Sequence, residues 1–279
     1  MTAAEIPTVV LPSGERLPAL GQTVRAPVNW DTGIDALRTG VDLGLTVIEV
    51  PDGDPGAEEL VAVVLRDRRE DVFLVAAVTP DEASRPGLER TFARRLHRLG
   101  TDRIDLLLFR RPDGWPLPPM VEALTAMITQ GSVRHWGVSG FDVPDLIELT
   151  AVPGGTAVEA DLIAYHLERR DAEWDLLPRC RRAGLAVLAR STVEPTGRPT
   201  LRRIAARHAM TPGQVALAWL LRSGVCALSG ADDPTRVRNA RAAIGIELTE
   251  AELCELDREF PPPGAAAGFH HPAAGKAGV

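Results

Sequence analysis

The sequence predicts an α/β fold of the (β/α)₈ TIM-barrel class, with an N-terminal β-hairpin plug and a C-terminal helix. Three observations predict it. Short β-branched or leucine-rich runs alternate with segments of helical periodicity every ~25–30 residues, a pattern that calls for parallel strands joined by right-handed crossovers. The runs number eight, which is the count that closes a barrel. The competing open, doubly wound sheet would place a Gly-x-Gly-x-x-Gly turn after an early strand, and the sequence contains none.

The elements follow in order. Residues 8–11 and 16–20 flank Pro12-Ser13-Gly14-Glu15, a hairpin with turn chemistry at its centre. A short first barrel strand covers 20–24. The others are expected at 46–50, 72–78, 104–109, 134–139, 157–162, 186–190 and 225–229. Helical periodicity covers 33–43, 57–67, 86–99, 118–130, 143–149, 173–183, 200–208 with 212–222, and 234–243. Gly44, Gly100, Gly131 and Gly184 fall just after helical stretches, where a left-handed cap is wanted. A last helix at 249–259 opens with Thr249 and, three residues on, Glu252, a capping box. One barrel is therefore expected over 1–260. Pro261-Pro262-Pro263-Gly264 and the Ala/Gly-rich stretch to Val279 predict a disordered tail. His270 and His271 lie in that tail and are read as incidental, so no metal site is expected.

Composition narrows the function classes. The net charge of -7, without a basic run, argues against a nucleic-acid partner. Cys180, Cys226 and Cys254 are too widely spaced for a disulfide framework or a zinc pattern. The first residues, MTAAEIPTVV, carry neither a basic region nor a long apolar run, so a cytoplasmic protein with no membrane partner is expected. Lys276 is the only lysine and Tyr165 the only tyrosine. Those two counts limit the available chemistry whatever the fold.

Several stretches carry a resemblance. LPSGERLPALGQT, GAEELVAVVL, REDVFLVAAV, LHRLGTDRIDLLL, GSVRHWGVSGFDV, AYHLERR, LLPRCRRAGLAVLA and MTPGQVALAWLLRSGV occur in the order and spacing of the aldo-keto reductase superfamily, which the chain resembles from Leu11 to Asp257. The resemblance implies carbonyl reduction with NADPH by an Asp, Tyr, Lys and His set. In that set a tyrosine, its pKa lowered from about 10 by a buried lysine, gives a proton to the carbonyl oxygen.

Each of those positions departs here. The family's aspartate aligns with Glu49, its lysine with Ala77 and its histidine with Arg110, and PDGDPGAEEL after the second strand has no tyrosine. Ser139 of the carboxamide-binding set is kept, while the asparagine aligns with Gly140, the glutamine with Leu162 and the stacking aromatic with Arg190. The lysine and serine that would hold the 2′-phosphate align with Gly230 and Asp232. Arg236 survives and the following asparagine is Ala240.

From this reading no cofactor is expected, with Ser139 and Arg236 as remnants. The proposed catalytic residues are Glu49, Arg110, Asp161 and Arg190, in two arrangements. Either the arginines clamp an anionic or enolate-like group while Glu49 or Asp161 moves a proton, or Glu49–Arg110 and Asp161–Arg190 pair and fill a dead pocket. Trp115, in the loop expected to cover the mouth, joins Ser139, Arg111 and His166 as candidate small-molecule contacts. Asp52 and Asp54 read as a solvated turn. The ranking that follows puts first a repurposed non-redox lyase, isomerase, dehydratase or cyclase acting on a small carbonyl or polyketide-like, possibly anionic, substrate. Second comes a non-catalytic binding pseudoenzyme, and third an NADPH-dependent carbonyl oxidoreductase.

Overall fold

The structure, a computed structural model, describes residues 4–80, 84–112, 114–191 and 197–264. Strands β1 (Thr8–Val10) and β2 (Arg16–Pro18) form the antiparallel hairpin. Then come β3 (Leu20–Thr23), α1 (Trp30–Asp42), β4 (Val47–Val50), α2 (Pro55–Arg68), β5 (Phe73–Val78), α3 (Arg85–Leu99) and β6 (Ile104–Phe109). They are followed by α4 (Leu117–Thr129), β7 (Val133–Ser139), α5 (Val143–Ala151), β8 (Ala160–Ala164), α6 (Leu176–Ala183) and β9 (Ala186–Ser191). The chain continues with α7 (Pro199–Arg207), α8 (Pro212–Leu221), β10 (Cys226–Gly230), α9 (Pro234–Ala242) and α10 (Glu250–Glu259). Strands β3 to β10 close a parallel barrel in which β10 returns to pair with β3. The expected (β/α)₈ barrel is present.

Alternation along each strand sorts side chains into two cores. Val47, Val75, Leu106, Leu108, Leu188 and Leu228 point inward, and the hairpin's Val9, Leu11 and Leu17 close the bottom of that inner core. Ile48, Leu74, Leu107 and Val187 point outward into a larger core shared with the helices. Helix ends are satisfied locally. Gly100 and Gly184, at φ +63° and +67°, cap α3 and α6 in the left-handed region that only glycine enters freely. Thr249 and Glu252 form the expected capping box on α10.

One boundary differs in a way that matters for the site. The strand expected at 157–162 begins at Ala160 and runs to Ala164, and Gly155–Ala157 form a 3₁₀ turn instead. The cause is a tight local turn: the chain doubles back against the end of α5 so closely that a Cβ on Gly155 would sit 1.9 Å from the Leu149 carbonyl oxygen. Among the described residues no helix is long and apolar enough to cross a membrane, and no group of three His, Cys, Asp or Glu could hold a metal.

Candidate active site at the barrel mouth

The inward register places Glu49, Ala77, Arg110, Arg190 and Gly230 at the C-terminal ends of β4, β5, β6, β9 and β10, the end at which ligands bind in such barrels. Glu49 is fully buried. Its Oε1 lies 2.6 Å from Arg190 Nη2, and its Oε2 accepts a 2.5 Å hydrogen bond from the Thr23 hydroxyl. A buried carboxylate costs several kcal/mol unless charge and hydrogen bonds compensate it, and here both do (~several kcal/mol). The order β9–β10–β3–β4 separates the two partners by two strands. The pair therefore reaches across the mouth over the small ends Gly230 and Thr23. Arg190 Nε–H is buried without a partner, so one donor of the guanidinium stays uncommitted.

Arg110 follows the same inward register as Leu106 and Leu108, and its backbone N–H still bonds Val78 on the neighbouring strand. It is half-buried, and among the described residues its side chain makes no hydrogen bond or ion pair. Neither expected pairing, Glu49–Arg110 or Asp161–Arg190, is formed; the pair that exists is Glu49–Arg190.

Asp161 corrects the sequence reading. Because β8 starts later than expected, Asp161 sits near its beginning, between inward-facing Ala160 and Leu162, and therefore points outward into the helix layer. It is fully buried, Oδ1 accepts the Gly140 N–H at 3.2 Å, and Oδ2 has no partner. Burial pushes its carboxyl well above the usual carboxylate range, which favours the protonated form. It is not a mouth residue. Glu159 is also elsewhere: it accepts bonds from the Ser13 N–H and pairs with His135 at 2.7 Å, on the hairpin side of the barrel.

The other candidates separate as well. Trp115 is not a lid contact. It is 1% exposed, packs edge-on against outward-facing Phe109 at 5.4 Å, and belongs to the helix-layer core. Arg111 ties that loop down, with Nε donating to the Trp115 carbonyl and the other nitrogens reaching Glu148 at 2.7 Å and Asp145 at 3.3 Å. His166 stands just beyond β8, joined to Arg169 by backbone bonds, with burial holding its pKa below the usual value. Ser139 ends β7 on the inward register of His135 and Gly137 and is buried. Asp52 and Asp54 are not a solvated turn: Asp52 bonds the Thr79 N–H and buried Arg95, and Asp54 caps α2.

Sequence reasoning missed Thr23, whose hydroxyl holds Glu49, although its place at the end of the first barrel strand was a usable signal. It also missed a groove. A cavity of about 440 Å³ runs from Thr23 past Asn29 and Thr32, and a second of about 410 Å³ runs on past Gln214 and Asn239. They share Ser191, Ser229 and Arg236 and lie side by side over the ends of β3, β9 and β10. At Gly230 a Cβ would meet nothing within 4 Å, so the cleft floor is open there. Its far end is electrically balanced: Asp233 caps α9 through the Thr235 and Arg236 N–H groups, and Asp232 pairs with Arg236 at 2.8 Å. Hydroxyl, amide and guanidinium groups line the two cavities.

A phenolic proton donor is absent. Tyr165 lies away from the mouth, its hydroxyl bonded to Glu173 and Ser223 and its pKa raised by burial. Lys276 lies outside the described residues, as do His270 and His271.

Comparison with known proteins bears directly on the cofactor. Methylglyoxal reductase YeaE of Escherichia coli (strain K12) is 36% identical over 267 residues, covering 88% of this chain and 92% of its own. A crystal structure of an aldo-keto reductase from Klebsiella pneumoniae in complex with NADPH is 32% identical, with a TM-score of 0.90 over 96% of this chain and 100% of that one. Another from the same organism, with NADP and acetate, has a TM-score of 0.88 at 32% identity, over 95% and 99%. These findings overturn the expectation of a non-redox enzyme or pseudoenzyme without a cofactor. The physical reason is that the cleft is shaped by strand ends and the start of α9, which persist when individual contact side chains change. The aldo/keto reductase family model matches residues 19–258, and this protein belongs to that family.

Proposed function

We propose that the protein is a nicotinamide-dependent reductase of small carbonyl compounds, with NADPH as the cofactor that its relatives suggest and 2-oxoaldehydes such as methylglyoxal among its substrates. The observation that carries this is the pair of adjoining cavities, lined by Asn239 and Arg236 in one and by Arg236 and Thr23 in the other, with Thr23 hydrogen-bonded to Glu49 of the Glu49–Arg190 pair. Arg236, Ser229 and Asn239 would hold the adenosine side, and Ser139 the nicotinamide carboxamide. When bound, the cofactor supplies a hydride to the carbonyl carbon.

The chain's own task is then to manage charge on the carbonyl oxygen. Glu49, itself held by Thr23, fixes Arg190 across the mouth, and the partly exposed guanidinium is a preorganised positive charge for the developing oxyanion. Arg190 cannot release its own proton near neutral pH, so the proton reaches the oxygen from water at the mouth. Turnover is expected to be slow, because a positioned general acid normally contributes about 10²–10⁴-fold. The net charge of -7, and the lack of a membrane-crossing helix among the described residues, support a cytoplasmic enzyme of small molecules.

The test is direct. Trp30 is exposed beside the cleft residues Asn29 and Thr32, so NADPH is expected to quench tryptophan fluorescence saturably. Methylglyoxal is expected to oxidise NADPH only when the enzyme is present. No saturation up to millimolar NADPH, together with no turnover, would overturn the reading.

A further inference from the structure

The inward-facing residues at the mouth leave an imbalance that the paired groups do not explain. One carboxylate, Glu49, faces two guanidiniums, Arg190 and Arg110. Arg190 already compensates Glu49. Asp161, the other carboxylate expected at the mouth, points outward into the helix layer and is no counter-charge there. Arg111, next in sequence, is on the opposite face and is fully engaged by Glu148 and Asp145. Arg110 therefore carries an unmatched positive charge at the rim of the site. It has no hydrogen bond or ion pair among the described residues, and it is half-buried, where a charge is only partly solvated. A planar guanidinium in that setting is suited to a carboxylate, which it can bind through two parallel bonds.

We propose that Arg110 anchors a carboxylate on the substrate, and that the preferred substrates of this enzyme are small carbonyl compounds carrying a negative charge next to the reacting carbonyl. This rests on the reductase reading above and adds the substrate class to it. Arg190 remains with the reacting oxygen and Arg110 holds the other end, so the two cations divide the substrate between them. A 2-oxo acid or a carboxylated aldehyde satisfies both. An uncharged 2-oxoaldehyde satisfies only Arg190.

Glyoxylate and methylglyoxal make a nearly isosteric pair of aldehydes that differ in charge. Steady-state reduction with NADPH is expected to give glyoxylate a kcat/KM at least about tenfold higher, most of it in KM, as one charge-assisted contact predicts. Arg110→Met is expected to raise KM for glyoxylate by about tenfold or more with a smaller change in kcat, and Arg110→Lys to restore part of the loss. Oxalate, which cannot be reduced, supplies a readout independent of turnover: in calorimetric titration it should bind the wild-type protein and bind Arg110→Met at least about tenfold more weakly. Because Arg110 has no hydrogen-bond or ion-pair partner among the described residues, the variant should melt within a degree or two of wild type, which shows that the comparison is between folded proteins. Equal kcat/KM for the two aldehydes, or oxalate binding unchanged by Arg110→Met, would overturn the proposal while leaving the reductase reading intact. Absence of NADPH binding would instead remove the reductase reading, and the oxalate titration would still decide whether Arg110 is an anion anchor.

Discussion

The Glu49–Arg190 pair is the residue-level feature on which the mouth depends. Glu49 is fully buried, so its charge has no water to fall back on, while Arg190 keeps 27% of its side chain exposed. Such a pair is a weak source of net stability but a costly one to break from one side, because the surviving charge is left uncompensated. Arg190→Met is expected to destabilise the protein by about 3 kcal/mol, the lower end of the range for buried pairs because Arg190 is partly solvated. The double variant Glu49→Gln/Arg190→Met removes both charges and is expected to recover most of that loss. Urea unfolding midpoints of the two variants would show it, and a double variant as unstable as the single would mean that Arg190 matters through packing rather than charge.

At the scale of elements, strand β8 shows how a shift of a few residues changes chemistry. With Ala160 and Leu162 facing inward, its alternation turns Asp161 away from the mouth and into the helix layer, where burial favours the protonated carboxyl. The sign of the linkage follows. The folded chain holds a proton that the unfolded chain has released once pH exceeds about 3.9, so stability is lost as pH rises through the folded pKa. Asp161→Asn keeps the oxygen that accepts the Gly140 N–H and removes the titration. It is expected to raise the melting temperature at pH 8 and to change it little at pH 4; an equal effect at both values would rule out a buried acid. The eight strands, the hairpin and the caps were legible because two-residue alternation, glycine after a helix and the Thr249/Glu252 pair are local signals. The pairing of Glu49 with Arg190 was not, because it joins segments 141 residues apart; the start of β8 and the burial of Trp115 were not either, because each depends on how a non-repetitive loop folds back on its neighbouring element. The two adjoining cavities at the barrel mouth escaped notice for another reason. Residue identities at Gly140, Leu162 and Gly230 record lost contacts, whereas the cleft is made by where the strands end.

Across the whole molecule, the two ends of the barrel are built for different work and should respond separately. The mouth carries the cleft, Arg110 and the Glu49–Arg190 pair. The opposite end is closed by the hairpin: Leu11 and Leu17 are almost fully buried in the inner core, and Ser13 is bound to Glu159. Glu159 is pushed up by burial, but bonds from His135 and Ser13 outweigh that and hold its carboxyl below the usual range, so it stays charged at the seam between hairpin and barrel. Leu17 belongs to the inner core and lines neither of the two cavities at the mouth. Leu17→Ala therefore leaves a void under the barrel floor and is expected to cost about 2–5 kcal/mol of stability, the usual range for a buried leucine. Under conditions where the variant stays folded, its Kd for NADPH should match wild type within about twofold, because the altered packing is separated from the cleft by the layered inner core. A Kd weakened in proportion to the lost stability would show instead that floor and mouth are coupled through that core, and that the hairpin helps to set the geometry of the active end.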